Sequence, residues 1–384
     1  MQYRTFGRHG FEVSALGFGC MRLPTLQGDQ IDEQKATQML RDAIDAGVNY
    51  VDTAYPYHNG LSEPFVGRAL KDGYRQKVKL ATKMPTWLTK TTADFDKYLD
   101  EQLARLQTDH IDLYLLHALH RTRWDEIKAL GVLEWGQKAK ASGKIGLLGF
   151  SFHDTYPVFE TIINDYDGWD FCQIQYNYVD IEEQAGLKGL KLAAGRGIPV
   201  VIMEPLLGGK LAAPPENVKK VFESAPVKRT PADWALQWLW DQPEVSVVLS
   251  GMSDLQQVKE NLASASASGV GSLNQADQQV IAEAYRVFRS TCPIPCTKCG
   301  YCKPCPQGVD IPRNFEYFNE GTMDLWGQAR FRYSQIPKDE QASACIGCRE
   351  CESKCPQNIP ISEWMPYVHE VMALEKAYDG RRNP

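Results

Sequence analysis

Cys345-x2-Cys348-x2-Cys351-x3-Cys355-Pro356 has the spacing that wraps a [4Fe–4S] cluster. Thiolates two residues apart converge on one face of a cubane while the intervening amides point at its sulfides, and a proline after the last cysteine turns the chain away. An earlier set, Cys296-x2-Cys299-x2-Cys302-x2-Cys305-Pro306, is one residue shorter in its last gap, and Cys292 stands ahead of it as a fifth candidate. Both sets continue alike, as Cys305-Pro306-Gln307 and then Ile311, and as Cys355-Pro356-Gln357 and then Ile361, a local duplication of one metal-holding unit. In the crossed arrangement usual for such pairs, Cys296, Cys299 and Cys302 share a cluster with Cys355, while Cys345, Cys348 and Cys351 share one with Cys305. Paired Cys-x2-Cys units also suit tetrahedral zinc, the alternative chemistry. Four evenly spaced thiols ending in Cys-Pro favour iron and sulfide.

A second constellation lies far upstream. Asp52, Lys83 and His117 each close a short apolar run, and Tyr57 follows Asp52 within one loop. A phenol, with an ordinary pKa near 10, gives up its proton more readily beside a cation that favours its ionised form. Lys83 would tune Tyr57, Asp52 would orient Lys83, and His117 would hydrogen-bond a substrate oxygen. Such a set suits protonation of a developing alkoxide during hydride reduction of a carbonyl. Taken singly, Asp52 and Lys83 also read as a buried ion pair, and Cys20 and Cys172 read as small residues at strand ends.

These residues need a scaffold that brings successive strand ends together. Apolar, β-branched runs at Val13–Gly19, Tyr50–Thr53, Val78–Thr82, Ile111–Leu116, Ile145–Phe150, Cys172–Tyr176, Pro199–Met203 and Val245–Leu249 alternate with amphipathic stretches. The stretches include Glu33–Ala46, Phe65–Leu70, Ala93–Leu106, Trp124–Ala141, Gly186–Ala194 and Pro231–Trp240. Eight such units over about 250 residues predict a closed (β/α)8 barrel with its chemistry at the C-terminal ends of the strands. An open doubly wound sheet is the alternative, but no G-x-G-x-x-G follows the first strand. Arg4–Ser14 has the turn chemistry of a hairpin closing the bottom of the barrel. Ala263–Leu273 reads as a surface loop, Gln275–Phe288 as a helix, and the prolines after Cys292 as a boundary.

Composition narrows the function. The 384 residues carry a formal charge of −6 and are 43% hydrophobic, which gives no general attraction to nucleic acid. No apolar run spans a bilayer and no secretory leader is evident, so a cytoplasmic location is expected. Nine of the 11 cysteines fall between Cys292 and Cys355, which in a reducing compartment means metal rather than disulfides.

Residues 1–261 resemble the aldo-keto reductases. The resemblance rests on Gly47-Val-Asn-Tyr-Val-Asp-Thr-Ala-Tyr-Pro-Tyr-His-Asn-Gly60, Leu80-Ala-Thr-Lys-Met-Pro85, Asp112-Leu-Tyr-Leu-Leu-His117, Gly149-Phe-Ser-Phe152 and Pro205-Leu-Leu-Gly-Gly-Lys-Leu211. The whole chain is similar to the subgroup with a C-terminal 4Fe–4S ferredoxin-type domain. This implies a (β/α)8 barrel over 1–288, a small, mainly helical ferredoxin-like domain over 289–384, and a catalytic tetrad at Asp52, Tyr57, Lys83 and His117. It further implies NADPH or NADH, with Ser151 and Gln173 on the nicotinamide carboxamide and the loop Leu206, Gly208 and Lys210 over the pyrophosphate. Ser250, Gly251, Gln257, Glu260 and Asn261 would face the adenosine half, and Gly19, Cys20 and Met21 would border the cofactor.

The sequence departs from the family pattern at Phe152, where an Asn is usual, and at Met203, where an aromatic is usual. Gly251 and Gln257 stand where a basic pair would hold a 2′-phosphate, so NADPH and NADH both stay open, with Lys210 and Lys259 as nearby cations. The expected activity is NAD(P)H-dependent reduction of a small aldehyde or ketone, with two [4Fe–4S] clusters of structural or electron-transfer role. The alternative is an iron–sulfur electron-transfer or redox-sensing protein that uses the barrel as a nucleotide-binding or docking platform. Nicotinamide passes two electrons as hydride and a cluster passes one, and no flavin motif joins them. An electron-carrier protein is a further candidate partner, with Arg313, Arg330, Arg332 and Arg349 as its candidate contacts.

Overall fold

The computed structural model describes residues 1–26 and 30–381. The chain forms two compact units, Met1–Pro205 with Asp233–Asn274, and Leu206–Ala232 with Gln275–Pro384.

In the first unit, β1 (Tyr3–Thr5) and β2 (Glu12–Ser14) form an antiparallel hairpin. Eight parallel strands follow: β3 (Leu16–Gly19), β4 (Tyr50–Asp52), β5 (Lys79–Met84), β6 (Ile111–Leu119), β7 (Ile145–Phe152), β8 (Phe171–Gln175), β9 (Val200–Met203) and β10 (Val245–Gly251). They pair in chain order, and β10 closes on β3 with Val248 opposite Leu16 and Gly251 opposite Gly19. This is the expected (β/α)8 barrel, and the closure excludes the open sheet. Strands covered on both faces read as unbroken apolar runs, as in Leu113, Tyr114, Leu115 and Leu116, all fully buried.

The run expected as one strand, Val13–Gly19, divides at Ala15. Its first part pairs with β1 and only Leu16–Gly19 enters the barrel. The hairpin carries Phe6 and Val13 into a core with Tyr50, Ala81, Leu113, Phe171 and Val201, residues at or near strand starts. It therefore fills the N-terminal end of the barrel and leaves the other end for chemistry.

Two helical expectations also change. Trp124–Ala141 is two helices, Arg121–Ala129 and Val132–Ala141, because Gly131 between them adopts φ 80°. The helix Leu255–Ser266 runs into the stretch expected as a loop, since buried Ser264 and Ala265 give it an inner face. It starts at Asp254, whose side chain accepts the Gln257 N–H.

The second unit holds helices Glu216–Ser224, Gln275–Thr291, Ile311–Glu320, Trp326–Ser334 and Ile361–Met372. Phe315, Phe318, Tyr333, Trp364, Met365 and Val368 form its core. Each Cys-Pro-Gln run leads into a helix that begins with a buried isoleucine, Ile311 or Ile361, so the duplication is structural as well as sequential. The sequence-based boundary at 288/289 differs from this division. Gln275–Thr291 packs on Glu216–Ser224, which draws both segments into the iron–sulfur unit.

Candidate functional site

Side chains alternate along a strand, so residues two apart share a face. Ala81, Leu113 and Leu115 point into the barrel core, and two residues further on Lys83 and His117 face the same interior at the C-terminal mouth. Asp52 ends β4, and Tyr57 opens the short 3-10 turn Tyr57–Gly60.

The Lys83 ammonium gathers the set. Its Nζ donates to Asp52 Oδ1 at 2.6 Å, to the Thr53 carbonyl at 2.8 Å and to Tyr57 Oη at 3.4 Å. Lys83 and Asp52 are 0% and 2% exposed. A buried network stands behind them: Gln102 Nε2 donates to Lys83 O at 3.0 Å and to Glu63 Oε1 at 2.5 Å, while Thr82 Oγ1 donates to the same carboxylate oxygen at 2.6 Å. These bonds lock the end of β5 and with it the root of the lysine.

Burial pushes the Asp52 carboxyl up, with Lys83 opposing. The phenol departs from the sequence-based expectation. Burial first, then the Asp52 and Glu204 carboxylates, hold Tyr57 well above its ordinary value, with Arg22 opposing. Lys83 lies closest to Asp52 and Thr53 and reaches the phenol only as its third and longest contact, and burial prevails. Tyr57 thus keeps its proton at neutral pH, and the lysine sits where negative charge would appear once that proton leaves. The His117 ring meets Tyr57 edge-on, centroids 6.2 Å apart, and lies 5.2 Å from the Trp87 ring. Burial, then Lys83, His153 and Arg123, hold its imidazole neutral, and its Nδ1 is buried without a partner. A neutral ring nitrogen in this setting can bond a carbonyl oxygen.

Around the mouth, the nicotinamide candidates offer amide-binding chemistry. Gln173 on β8 has a buried Oε1 with no partner, while its Nε2 reaches Met203 Sδ at 3.5 Å. Ser151 on β7 accepts the Ala118 N–H at 2.7 Å. An unpartnered amide oxygen beside a hydroxyl fits a carboxamide, which both donates and accepts. Phe152 is buried against Phe159 with centroids 5.2 Å apart, so this position serves the core.

The adenosine-side candidates are largely framework: Asn261 Nδ2 donates to Ser250 Oγ at 2.9 Å, Gln257 Oε1 accepts the Ser253 N–H at 2.9 Å, and Glu260 Oε1 accepts from Gln256 at 2.8 Å. Gly19 and Gly251 are places of close approach, where a Cβ would lie 3.3 Å from Ser250 O and 3.2 Å from the Arg22 stem respectively. Arg22 is a cation that the motif reading missed, in the turn Cys20–Arg22 just after β3. In the same turn Met21 is half-buried and Cys20 is fully buried with its thiol pushed up by burial.

Leu206, Gly208 and Lys210 fall in the second unit. There Gly208, at φ 65°, packs so closely on the Thr297 backbone that a side chain has no room, and Lys210 Nζ donates to Ile294 O at 3.4 Å. This loop is thus joined to the residues flanking the first cysteine set.

The cysteines ring two cavities. One is lined by Cys296, Cys299, Cys302 and Cys355, the other by Cys305, Cys345, Cys348 and Cys351. These are the crossed sets, and Ile311 forms part of both walls. Among the described residues no group of three or more His, Cys, Asp or Glu side chains converges as a single-ion site. Burial and neighbouring thiols push Cys302 up to about 12, with burial pushing Cys351 up to about 11 and Cys355 to about 12. Thiols so placed become thiolates only with compensating positive charge, which bound iron would provide. Cys292 lines neither cavity. Arg313 pairs with Asp310 and Glu340, Arg332 with Glu320, and Arg330 donates to Val371 O, so three of the four candidate carrier contacts serve the fold.

Barrel and thiol cavities together define a (β/α)8 oxidoreductase with an iron–sulfur unit. The aldo/keto reductase family model matches residues 15–277, and a 4Fe-4S dicluster domain model matches residues 295–359. The chain belongs to the aldo/keto reductase family and is an NAD(P)H-dependent oxidoreductase. It is 30% identical over 288 residues to L-galactose dehydrogenase of Arabidopsis thaliana, a match covering 68% of this chain and 88% of that one. It is 27% identical over 310 residues to the NADH-specific methylglyoxal reductase of Escherichia coli (strain K12), covering 67% and 90%. Among solved structures it is similar to the holo form of aldo-keto reductase AKR11C1 from Bacillus halodurans, with 30% identity, TM-score 0.63 and coverage of 74% and 96%. It is also similar to an aldo-keto reductase from Klebsiella pneumoniae in complex with NADPH, with 25% identity, TM-score 0.60 and coverage of 75% and 96%. Among the described residues no helix is long and apolar enough to cross a membrane.

Proposed function

We infer that the barrel reduces an aldehyde or ketone to the alcohol, with Tyr57 as proton donor. The observation that carries this is the buried Lys83 ammonium bonded at once to Asp52 and to the Tyr57 hydroxyl. A bound reduced nicotinamide supplies the hydride. His117 offers its neutral ring to the carbonyl oxygen and orients it toward the phenol. Tyr57 gives that oxygen a proton as negative charge builds on it, and Lys83 stabilises the phenolate left behind. Asp52 holds Lys83 charged and in place. Ser151 and Gln173 would hold the carboxamide of the cofactor, and the two crossed cysteine sets would each hold a [4Fe–4S] cluster. The clusters serve the fold of their unit, and the barrel chemistry needs no electron from them.

The test is anaerobic turnover with nicotinamide deuterated at C4. Deuterium in the alcohol product, with the clusters unchanged in their visible spectrum, is the expected outcome. Bleaching of the clusters by the reduced nucleotide, with no labelled alcohol, would instead support the electron-transfer reading.

A further inference from the structure

The two cysteine loops are copies of one sequence unit, and the fold treats them unequally. Cys296-Thr-Lys-Cys299 and Cys345-Ile-Gly-Cys348 correspond residue by residue. Thr297 is 2% exposed, whereas Ile346, at the same place in the second copy, is 66% exposed. The polar member is inside and the apolar member outside, the reverse of what hydration of the side chains favours. One cause of the burial stands at Gly208, whose backbone lies against Thr297 so closely that a Cβ would be 2.4 Å from the Thr297 carbonyl oxygen. Lys210, in the same segment, donates to Ile294 O just ahead of the first copy. The contrast repeats after the last cysteines, since Pro356 and Gln357 are buried while Pro306 and Gln307 are exposed. Because the sets are crossed, Thr297, Pro356 and Gln357 all wall the cavity of Cys296, and Ile346, Pro306 and Gln307 all wall that of Cys345. Cys348 is itself exposed, between exposed Gly347 and Arg349, whereas its counterpart Cys299 is half-buried.

We propose that the cavity of Cys305, Cys345, Cys348 and Cys351 is an exchangeable metal site, where iron enters and leaves past Cys348, and that the segment Leu206–Lys210 seals the other cavity as a permanent one; this rests on the two-cluster reading above. Loss of iron to a competing ligand is ligand substitution. The competitor has to reach the metal before a thiolate lets go, so the rate follows solvent access, which the shell around a metal site controls. Once freed, an exposed thiolate is also open to alkylation, and a buried one is not. An exposed Ile346 is then a consequence of keeping one loop open, and a buried Thr297 a consequence of closing the other.

The experiment counts iron and sulfide in the holoprotein, then adds EDTA and iodoacetamide without oxygen, follows the loss of visible absorbance and maps the alkylated cysteines at successive times. Iron should leave in two phases of equal size, the first faster by about tenfold or more, with the open set alkylated in the first phase and the sealed set in the second. Gly208→Ala, whose methyl group would strike the Thr297 carbonyl, should speed the second phase and leave the first as it was. A single phase, or earlier alkylation of the sealed set, overturns the proposal while both clusters stand. A second phase that Gly208→Ala does not move removes the seal. Iron and sulfide enough for one cluster only, or a first phase that frees Cys355 in place of Cys305, contradicts the crossed two-cluster reading and the proposal with it.

Discussion

At the scale of the residue, the candidate active site is built from groups held in their neutral or paired forms by burial. Tyr57 stays protonated and His117 stays neutral, so neither should titrate within roughly pH 6–8, and the chemistry inherits no pH limb from them there. His153 makes the same principle measurable as stability. Burial depresses its imidazole to about 4, with Arg123 contributing and a Gln184 hydrogen bond opposing. In the unfolded chain the group takes a proton near pH 6.5. Above that pH both states are neutral and stability is unaffected. As pH falls from about 6.5 toward 4 the unfolded state binds the extra proton, and stability drops by at most about 3 kcal/mol. Denaturant unfolding of wild type and His153→Gln at pH 7 and 4.5 should show a smaller acid loss in the variant; equal losses would contradict this. That Asp52, Lys83 and His117 gather near strand ends, with Tyr57 close by, was legible in the sequence because each of the three closes an apolar run. The direction of the Tyr57 shift was not, because it depends on how deeply the folded chain buries the phenol and which carboxylates surround it.

At the scale of the element, the strands were readable because sheets buried on both sides need continuous apolar runs, and Leu113 to Leu116 show why. What escaped were the breaks. Ala15 divides one apolar run between a hairpin and the barrel, and Gly131 divides one amphipathic run between two helices. Neither residue changes the hydrophobic pattern around it. Arg22 and Trp87 escaped for a related reason, since their place near the candidate site comes from how short turns fold back over the strand ends. The segment Leu206–Ala232 is the element whose place was least expected. It belongs with the iron–sulfur unit through Gly208 on Thr297, Lys210 on Ile294 and helix Glu216–Ser224 on Gln275–Thr291. Anaerobic removal of iron should therefore raise amide hydrogen exchange in Leu206–Ala232 and around the cysteines, since metal binding is folding free energy for such sites. β4 to β7 should keep their protection. Unchanged exchange in the 206–232 segment would show that it does not depend on the metal.

At the scale of the whole molecule, the chain carries hydride chemistry in one unit and sites for one-electron centres in the other. Nothing in the proposed reduction requires electrons to pass between them. Each duplicated Cys-Pro-Gln run places its cysteine in the cavity lined by the other set's three thiols. Clusters held in that proposed arrangement would tie the two halves of the small unit together, which suits a domain of limited core. The crossed grouping was expected from the usual arrangement of such paired sets, not from spacing alone; that Leu206–Ala232 belongs with this unit was not legible, because contacts between segments distant in the chain leave no mark on local pattern.

The proposed reduction depends most on the Tyr57 hydroxyl. Single-turnover reduction of an aldehyde by Tyr57→Phe, followed beside a nucleotide-binding titration, addresses it directly. The rate should fall by about 10²–10⁴, the usual contribution of a positioned acid, with nucleotide affinity within about twofold of wild type. A variant that reduces the carbonyl at the wild-type rate would contradict the proposed proton donor.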